Sequence, residues 1–429
     1  MSEKNSRFLT YFIIAVAACG YFVDIYDLIL FNVVKKESLL AIMKGATPEA
    51  IADTGILLFN VQMTGMLVGG LFWGMLGDKK GRISVLFGSI LLYSIANLVN
   101  MFVASIPLYV AVRFIAGMGL AGELGAGVTL VSESMSKENR GYGTMIIVSF
   151  GALGAVAAAL VSAQGQVIGN WLGGVLSITL ANWQVAYLIG GLLGLLLLML
   201  RVGTIESGMF KDIQHENVSK GNIFMLFNNR ARFLKYIKCI LVGLPIWYIV
   251  GLIVANSEPI WAKELGVQGK VVNGSAVMYS YLGLCVGDIL SGVLSQLWQS
   301  RRKVIMLYLS ICFASIVYFF FFAHGISAGA FYWLAFLLGA ATGFWALFVT
   351  VAAEQFGTNI RSTVTNTTPN FVRGSVPLIL GLYHILISFA ISPVISAFAV
   401  GVICLGLSLW ATSQMFETFG KELNYIEPA

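Results

Sequence analysis

The sequence predicts an all-α polytopic membrane protein whose twelve transmembrane helices form two pseudo-symmetric six-helix bundles. Hydrophobic residues make up 58% of the 429 residues and charged residues only 11%, whereas charged residues are about a quarter of an ordinary soluble domain. The apolar residues fall into runs long enough to cross a bilayer. The two halves of the chain also share a pattern of charged loops. Together these observations exclude an ordinary soluble globule.

The first six predicted helices form one bundle, within residues 1–202. The first helix runs from about residue 9 to residue 34, and a polar loop that we expect outside continues to residue 54. The second and third helices flank a short charged loop, the fourth spans about 106–130, and the fifth and sixth bring the chain to Arg201.

A central cytoplasmic loop, residues 203–235, is the longest polar stretch and divides the chain. Residues 236–429 then form the second bundle. Its six helices are predicted near residues 236–257, 271–296, 303–324, 328–352, 363–388 and 391–413.

Basic residues set the expected orientation, because lysine and arginine near helix ends are retained on the cytoplasmic side. Most of them lie in the loops that this rule assigns to the cytoplasm. The lysines of the outside loops are Lys35, Lys36, Lys44, Lys263 and Lys270. We therefore expect both termini in the cytoplasm and a bacterial inner membrane as the location. The polar start, MSEKNSRF, lacks the features of a removable signal peptide.

The same features limit the partners that we expect. The positive charge sits in short loops beside apolar runs, so it reports membrane topology rather than nucleic-acid binding. The five cysteines lie in apolar segments without metal-site spacing, which predicts neither a metal site nor a disulfide framework. No cofactor is expected. The expected partners are the lipid bilayer, protons and a small-molecule substrate, with the protein acting as a monomer.

An internal repeat relates the two halves, which is the strongest internal indication of a transporter. Four positions of the first half recur in the second at a nearly constant offset. Gly74, Asp78, Glu133 and Arg140 correspond to Gly292, Gln296, Glu354 and Arg361. The second copy has therefore lost the aspartate of the first.

The loop GMLGDKKGR, Gly74 to Arg82, carries the most specific motif. Asp78 stands at the carboxyl end of a helix, where the helix dipole disfavours an anion, so a cation or the amino terminus of another helix must compensate it. The spacing of Gly74, Asp78, Gly81 and Arg82 resembles the signature loop of the major facilitator superfamily. This resemblance implies a twelve-helix transporter that works by alternating access. We predict a conformational latch formed by Gly74, Asp78, Gly81, Arg82, Glu133, Arg140, Glu354 and Arg361.

Charged residues inside the membrane are the candidates for function, since each one is costly there. Asp24 and Asp27 lie three residues apart and so share one face of the first helix. Two carboxylates that close cannot both be ionised cheaply, so one of them should carry a proton. Arg113 of the fourth helix is the natural partner for one of these acids, and Glu123 follows in the same helix. These four residues are the predicted proton-coupling set.

The stretch from Arg113 to Glu123, RFIAGMGLAGE, together with the acidic first helix, resembles proton symporters for metabolites, organic anions and phosphate. The resemblance implies a proton-switched ion pair between Asp27 and Arg113, and it implies that Glu123 lines the central site. The segment TIES, Thr204 to Ser207, keeps only a trace of the P-E-S motif that closes the sixth helix of sugar carriers. This departure argues against a sugar.

Arg373, in the eleventh helix, is the predicted anchor for an anionic substrate group. A guanidinium pairs bidentately with carboxylate or phosphate and stays charged. The alternative is that Arg373 pairs structurally with Asp288 or another acid. Further candidates for substrate binding are Glu123, Tyr26, Trp247, Asn366, Asn370 and Asp288.

The predicted function is secondary active transport, with proton-coupled uptake of a small anionic metabolite. The alternative is proton-coupled export of a drug-like or siderophore-like compound, although the fifth predicted helix lacks the glycine–proline pair of drug exporters. A transport-dead sensor would require loss of the helix 1 acids or the signature loop, and both are present. The two-repeat pattern disfavours a channel. No nucleotide loop or nucleophile–base pair indicates an enzyme.

Overall fold

The computed structural model of the chain describes residues 3–176, 180–201 and 220–428. Within these residues, twelve helices are long and apolar enough to cross a membrane. We label them α1 to α12. Their bounds are Thr10–Ile42, Pro48–Lys80, Arg82–Asn100, Ile106–Ser134, Arg140–Ala163, Asn182–Leu200, Arg230–Glu264, Asn273–Leu297, Arg301–Phe322, Ala328–Gln355, Arg361–Ser388 and Pro393–Ser413. The predicted polytopic all-α fold is therefore confirmed.

The helices pack as two bundles, α1 to α6 and α7 to α12. In the first bundle α1 lies against α4, α5 and α6, while α8 lies against α10 and α7 against α12 in the second. The two bundles meet mainly where α2 packs on α11 and where α5 packs on α8. The exact domain boundaries stay a prediction. Residues 203–219 of the predicted central loop, including Thr204 to Ser207, lie outside the described residues.

Close packing of α2 on α11 depends on Gly74. A Cβ atom at this position would lie 2.8 Å from the Cα of Thr363 on α11, closer than real Cβ contacts allow. The absence of a side chain therefore lets the two backbones approach. Gly81, which separates α2 from α3, has a φ of 97°, a value that favours glycine.

Helix α1 is longer than predicted, because it continues to Ile42 instead of ending at residue 34. Lys35 and Lys36 do not end it, since long basic side chains can lie along apolar surface while their charges reach water. Ser38 donates to the carbonyl of Lys35 and also shares a 3.1 Å hydrogen bond with Tyr109 of α4. The outer loop that follows is correspondingly shorter than predicted.

Helix α7 begins earlier and ends later than predicted, and its outer half is irregular. The segments Ile249–Ile253 and Ser257–Trp261 form wide π-type turns. Asn256 donates to the carbonyls of Gly251 and Leu252, each at 3.0 Å, which satisfies backbone groups that the wide turns leave free. The irregularity explains why hydropathy alone placed the ends of this helix poorly.

Helices α4 and α10 are each interrupted at their centres, at places related by the internal repeat. The first consists of Ile106–Leu120 and Glu123–Ser134, and the second of Ala328–Ala341 and Trp345–Gln355. Each interruption starts a new helical segment deep in the protein. Its free backbone N–H groups then become available to side chains from other helices.

Candidate functional site

A central cavity lies between the two bundles. Its walls come from α1, α5, α7, α8, α10 and α11 and are mostly apolar or aromatic. The lining residues are Tyr21, Ile25, Val148, Ala152, Ile246, Trp247, Val250, Tyr281, Leu284, Trp345 and Arg373. Arg373 is the charged member of this lining, so the cavity combines an apolar wall with one fixed cation.

The guanidinium of Arg373 is held by aromatic side chains from both bundles. It lies 5.7 Å from the ring centroid of Trp345 and 5.8 Å from that of Trp247. Its Nη2 atom donates to the Tyr21 hydroxyl at 3.1 Å, and the Trp345 indole N–H donates to the same hydroxyl at 2.9 Å. The Nε atom of Arg373 has no partner in the described part of the chain. The Nε–H group of this guanidinium is therefore free to donate to another acceptor.

Asp24 is the acid that faces this arginine. One of its carboxylate oxygens lies 4.0 Å from Arg373 Nη2, and both side chains are buried. Neither oxygen of Asp24 has a hydrogen-bond partner among the described residues. A buried carboxylate with so little support is a costly feature, which makes this place a candidate for function. Among the described residues Arg373 does not pair with Asp288, but its contact with Asp24 is a pairing with another acid, which the alternative prediction included.

Asp27 lies elsewhere, inside the first bundle and away from the cavity lining. A Cβ atom added at Gly190 of α6 would meet Asp27 Oδ1 and the amide of Asn97. Arg113 donates to Gln62 rather than to an acid of α1, and its guanidinium lies 4.6 Å from the ring centroid of Phe31. The ion pair that the sequence predicts between Asp27 and Arg113 is therefore absent from this conformation of the described residues.

Glu123 pairs with Arg201, the last described residue of the first bundle. Arg201 donates to both carboxylate oxygens and also to the carbonyl of Leu86 at 2.6 Å. A Cβ atom at Gly20 would collide with both members of the pair. The expectation that Glu123 lines the central site is therefore corrected: its side chain pairs with Arg201 and is not part of the cavity lining. Sequence reasoning missed Arg201 because a basic residue at a helix end looks like a topology signal.

The remaining polar candidates hold helices together instead of lining the cavity. The Tyr26 hydroxyl donates to the carbonyl of Ala186 at 3.0 Å, and Asp288 accepts from the N–H of Ala346, at the start of the second segment of α10, at 2.9 Å. Asn366 and Asn370 donate to backbone carbonyls, Asn370 to that of Ala121 on the other bundle at 2.9 Å. Of these candidates only Trp247 lies at the cavity. Trp345, also at the cavity, was not predicted.

The predicted latch residues meet on one side of the protein, which we call the latch side. Asp78 accepts hydrogen bonds from the N–H of Ser362 at 2.9 Å and from the N–H and hydroxyl of Thr363 at 2.8 and 2.7 Å. These groups form the amino terminus of α11. The anion at the end of α2 is thus compensated by another helix's amino terminus, one of the two partners that the helix dipole requires.

Arginines from both bundles surround Glu133 beside this contact. Its Oε1 atom accepts from Arg82 at 2.8 Å and from Arg361 at 2.7 Å. Arg82 also donates to the carbonyl of Thr358 at 3.0 Å and lies 3.6 Å from Asp78. The latch side is therefore closed by a buried charge network that joins the first bundle to the second.

The repeat-related half of the network uses different chemistry. Glu354 accepts from Arg140 at 2.8 Å and from Arg301 at 3.4 Å. Gln296, at the place of Asp78, lies against the start of α5, where its amide can accept from the N–H of Tyr142 at 3.3 Å and donate to the carbonyl of Glu138 at 3.1 Å. A neutral amide replaces the anion, so this second contact is the weaker of the two.

Two helical bundles, a cavity between them and a charged network that closes one side form the arrangement expected of a membrane transporter. Residues 17–368 match the model of the Major Facilitator Superfamily, and the chain belongs to this family. The predicted family is therefore confirmed.

Two relatives and one solved structure support this assignment. The chain is 28% identical over 410 residues to the putative niacin/nicotinamide transporter NiaP of Bacillus subtilis, covering 92% of this chain and 94% of the relative. It is 25% identical to the probable 4-methylmuconolactone transporter of Cupriavidus pinatubonensis, covering 80% and 76% of the two chains. Its fold is similar to that of the proton:xylose symporter XylE, with a TM-score of 0.73 and 16% identity over 98% of each chain. These are transporters, so the prediction that the chain is not an enzyme is confirmed.

Proposed function

We propose that this transporter takes up a small ring-containing monocarboxylate together with a proton, and that its latch side faces the cytoplasm. The observation that carries the proposal is Arg373, a buried arginine between two tryptophans with a free Nε donor. A carboxylate can accept two parallel hydrogen bonds from such a fork. The names of two relatives include niacin, given together with its neutral amide nicotinamide, and 4-methylmuconolactone; niacin and 4-methylmuconolactone are each a small ring compound with a carboxylate.

The tryptophans favour a ring next to the carboxylate. Trp247 and Trp345 flank the guanidinium, so a ring attached to the bound carboxylate would lie against their faces. Aromatic contacts of this kind contribute about 0.5–1.5 kcal/mol beyond burial. Tyr281 and Leu284 of α8 complete the apolar wall. A flat, largely apolar anion therefore fits this lining better than a sugar, which needs many hydrogen-bond partners.

Asp24 supplies the link between substrate and proton. Its carboxylate and an incoming anion would both lie beside the one guanidinium, and burying a second, uncompensated negative charge is expensive. Substrate binding therefore favours the protonated form of Asp24. Asp27, which the sequence selects as the coupling residue, lies within the first bundle and would act on proton transfer without touching the substrate.

A direct test uses purified protein in liposomes and two matched compounds. Niacin carries a carboxylate where nicotinamide carries a neutral amide, so the pair isolates the charge. A thermal-shift screen with niacin, benzoate, 3-phenylpropionate, phosphate and xylose first identifies which class binds, since a ligand of the native state stabilises it. Accumulation of the best ring carboxylate, driven by an acidic exterior, is the expected result. Equal transport of nicotinamide and niacin would refute the anionic substrate, and uptake driven only by an acidic interior would indicate export.

The Arg373→Lys variant tests the anchor itself. Lysine keeps the charge but cannot present a planar fork, so we expect the Kd of the carboxylate to rise about 10- to 100-fold, which corresponds to roughly 1.4–2.8 kcal/mol. Arg302→Lys, at an exposed position on α9, is the matched control and should leave binding unchanged. An unchanged Kd in Arg373→Lys would mean that the residue serves only as a counter-charge.

A further inference from the structure

The end of the described chain crosses the latch side without regular secondary structure, apart from a turn at residues 419–420. We call residues 415–428 the C-terminal strap. At its beginning, Glu417 accepts from the backbone N–H groups of Arg301 and Arg302, at 2.9 and 3.3 Å, and so caps the start of α9. Burial works against the charge of Glu417, but hydrogen bonds from Ser300 and from backbone N–H groups outweigh it and hold the pKa of this carboxyl below its ordinary value. The cap therefore fixes the strap to the second bundle.

The middle of the strap completes the hydrogen bonding of two latch arginines. Arg140 uses Nε for Glu354 and Nη2 for the carbonyl of Lys421, at 2.6 Å. Arg361 uses Nη1 for Glu133 and Nη2 for the carbonyl of Leu423, also at 2.6 Å. Hydrogen bonds to a charged donor are stronger than neutral ones. Because backbone carbonyls make them, this recognition does not depend on the strap's side chains.

Most of the other contacts anchor the strap to the second bundle. The N–H of Thr358 donates to the carbonyl of Tyr425 at 2.9 Å, and Asn359 exchanges two hydrogen bonds with the backbone of Glu427 at 3.0 and 3.1 Å. The Glu427 carboxylate lies 2.9 Å from Lys235 and 3.4 Å from Arg232. These partners all belong to α7 or to the loop before α11.

The contacts with the first bundle are fewer and lie together. Among the described residues, the hydrogen bonds and ion pairs of this kind are the bond from Arg140 to the carbonyl of Lys421 and an ion pair of 2.7 Å between Lys137 and Glu422. Both first-bundle partners belong to the α4–α5 loop or its end. The ion pair is exposed, with 43% and 74% of the two side chains accessible, so it contributes little. The strap thus crosses the boundary between the bundles mainly through Arg140.

We propose that the strap is a conformational clamp that travels with the second bundle and holds the latch side closed. Alternating access moves one bundle against the other, so opening the latch side must break the contact between Arg140 and Lys421. The strap then favours the closed state by adding a charge-assisted bond that exists only there, and by occupying arginine donors that water would otherwise compete for. The clamp acts on the latch side alone, whatever the substrate is.

Hydrogen exchange measured by mass spectrometry tests the clamp on the purified full-length protein and on a variant truncated after Phe419. This truncation keeps Glu417 and its cap on α9. The reporters are the amides of Ser362 and Thr363, which Asp78 protects only when the latch is closed. Without the strap we expect these amides to exchange about tenfold faster, the change that follows from losing one charge-assisted bond. A synthetic peptide of residues 420–429, the part that the truncation removes, should restore protection.

Two substitutions make the test independent of how well the truncated chain folds. Glu427→Gln weakens the anchors at Arg232 and Lys235 and should speed exchange about threefold, whereas Glu422→Gln, in the exposed pair, should leave it within a factor of about two. If Ser362 and Thr363 keep wild-type rates in both the truncated and Glu427→Gln proteins, with faster exchange confined to Thr358, the strap is a passive cover and the proposal is wrong.

Discussion

Replacing Asp78 by asparagine should unlock the latch side without unfolding the protein. The carboxylate accepts hydrogen bonds from two backbone N–H groups and one hydroxyl at the start of α11. An asparagine side chain has one oxygen, and its amide nitrogen would face a backbone donor. One buried N–H of Ser362 or Thr363 therefore loses its acceptor. The charge that complements the helix dipole is lost as well.

The size of the effect follows from these two losses. A buried donor without a partner costs about 1–3 kcal/mol, and an anion at a helix amino terminus contributes about 0.3–1 kcal/mol, up to about 2 when partly buried. Their sum, about 3 kcal/mol, acts on the closed state alone, because α2 and α11 separate when the latch side opens. A shift of this size changes the ratio of closed to open protein by about 100-fold. We therefore expect transport to be crippled while the protein remains inserted.

Distances between spin labels can measure this shift. Labels at Lys80 and Lys303, both exposed near the latch side on different bundles, would be attached in a variant that lacks the five free cysteines. Asp78→Asn should move most of the distance distribution to the longer, open value. Asp53→Asn, an exposed substitution on the same helix, is the control and should leave it unchanged. Identical distributions in wild-type and Asp78→Asn protein, together with normal transport, would refute the reasoning.

Three further substitutions distinguish the roles of the buried acids. Asp24→Asn should bind the carboxylate with an affinity that no longer depends on pH, because the competing anion beside Arg373 is gone; an unchanged pH profile by isothermal titration calorimetry would contradict this. Asp27→Asn should lose accumulation driven by a pH gradient yet keep part of its counterflow exchange, and wild-type accumulation would show that Asp27 is not the coupling residue. Glu123→Gln leaves the charge of Arg201 buried without compensation, so the protein should lose about 3 kcal/mol of stability; a thermal midpoint equal to that of the wild type would mean that the pair is dispensable.

The contact between Asp78 and α11 shows what sequence reasoning can reach. A carboxylate at the carboxyl end of a helix is unfavourable by itself, and this fact required either a cation or another helix's amino terminus. This step uses a local rule about helix ends, which depends on few residues and applies before any packing is known. The fold follows in the same way from the length and spacing of apolar runs.

The partners of the buried charges were predicted less well by the same reasoning. The sequence predicted that Arg113 pairs with an acid of α1. In the structure Arg113 donates to Gln62 and its guanidinium lies over the ring of Phe31. Glu123 pairs with Arg201 across helices whose relative rotation no local pattern determines. Partner choice among buried charges depends on interhelical packing, where one turn of a helix changes which side chains meet. A comparison of the two repeats would have drawn attention to Trp345, which begins the second segment of α10 just as Glu123 begins that of α4.

If the proposed function holds, the charges beside the cavity explain how substrate binding is coupled to proton transport. Asp24 belongs to α1 and Arg373 to α11, so their contact spans the two bundles that must move past each other. The empty carrier can move with this pair neutral, and the loaded carrier can move with the substrate anion on Arg373 and a proton on Asp24. The two remaining combinations, a proton without substrate or substrate without a proton, each leave one charge uncompensated in a buried site, which is expensive. Because only the neutral combinations cross cheaply, one proton and one monocarboxylate should move together, with Arg373 linking the two charges at the cavity and Asp27 acting on the transfer of the proton.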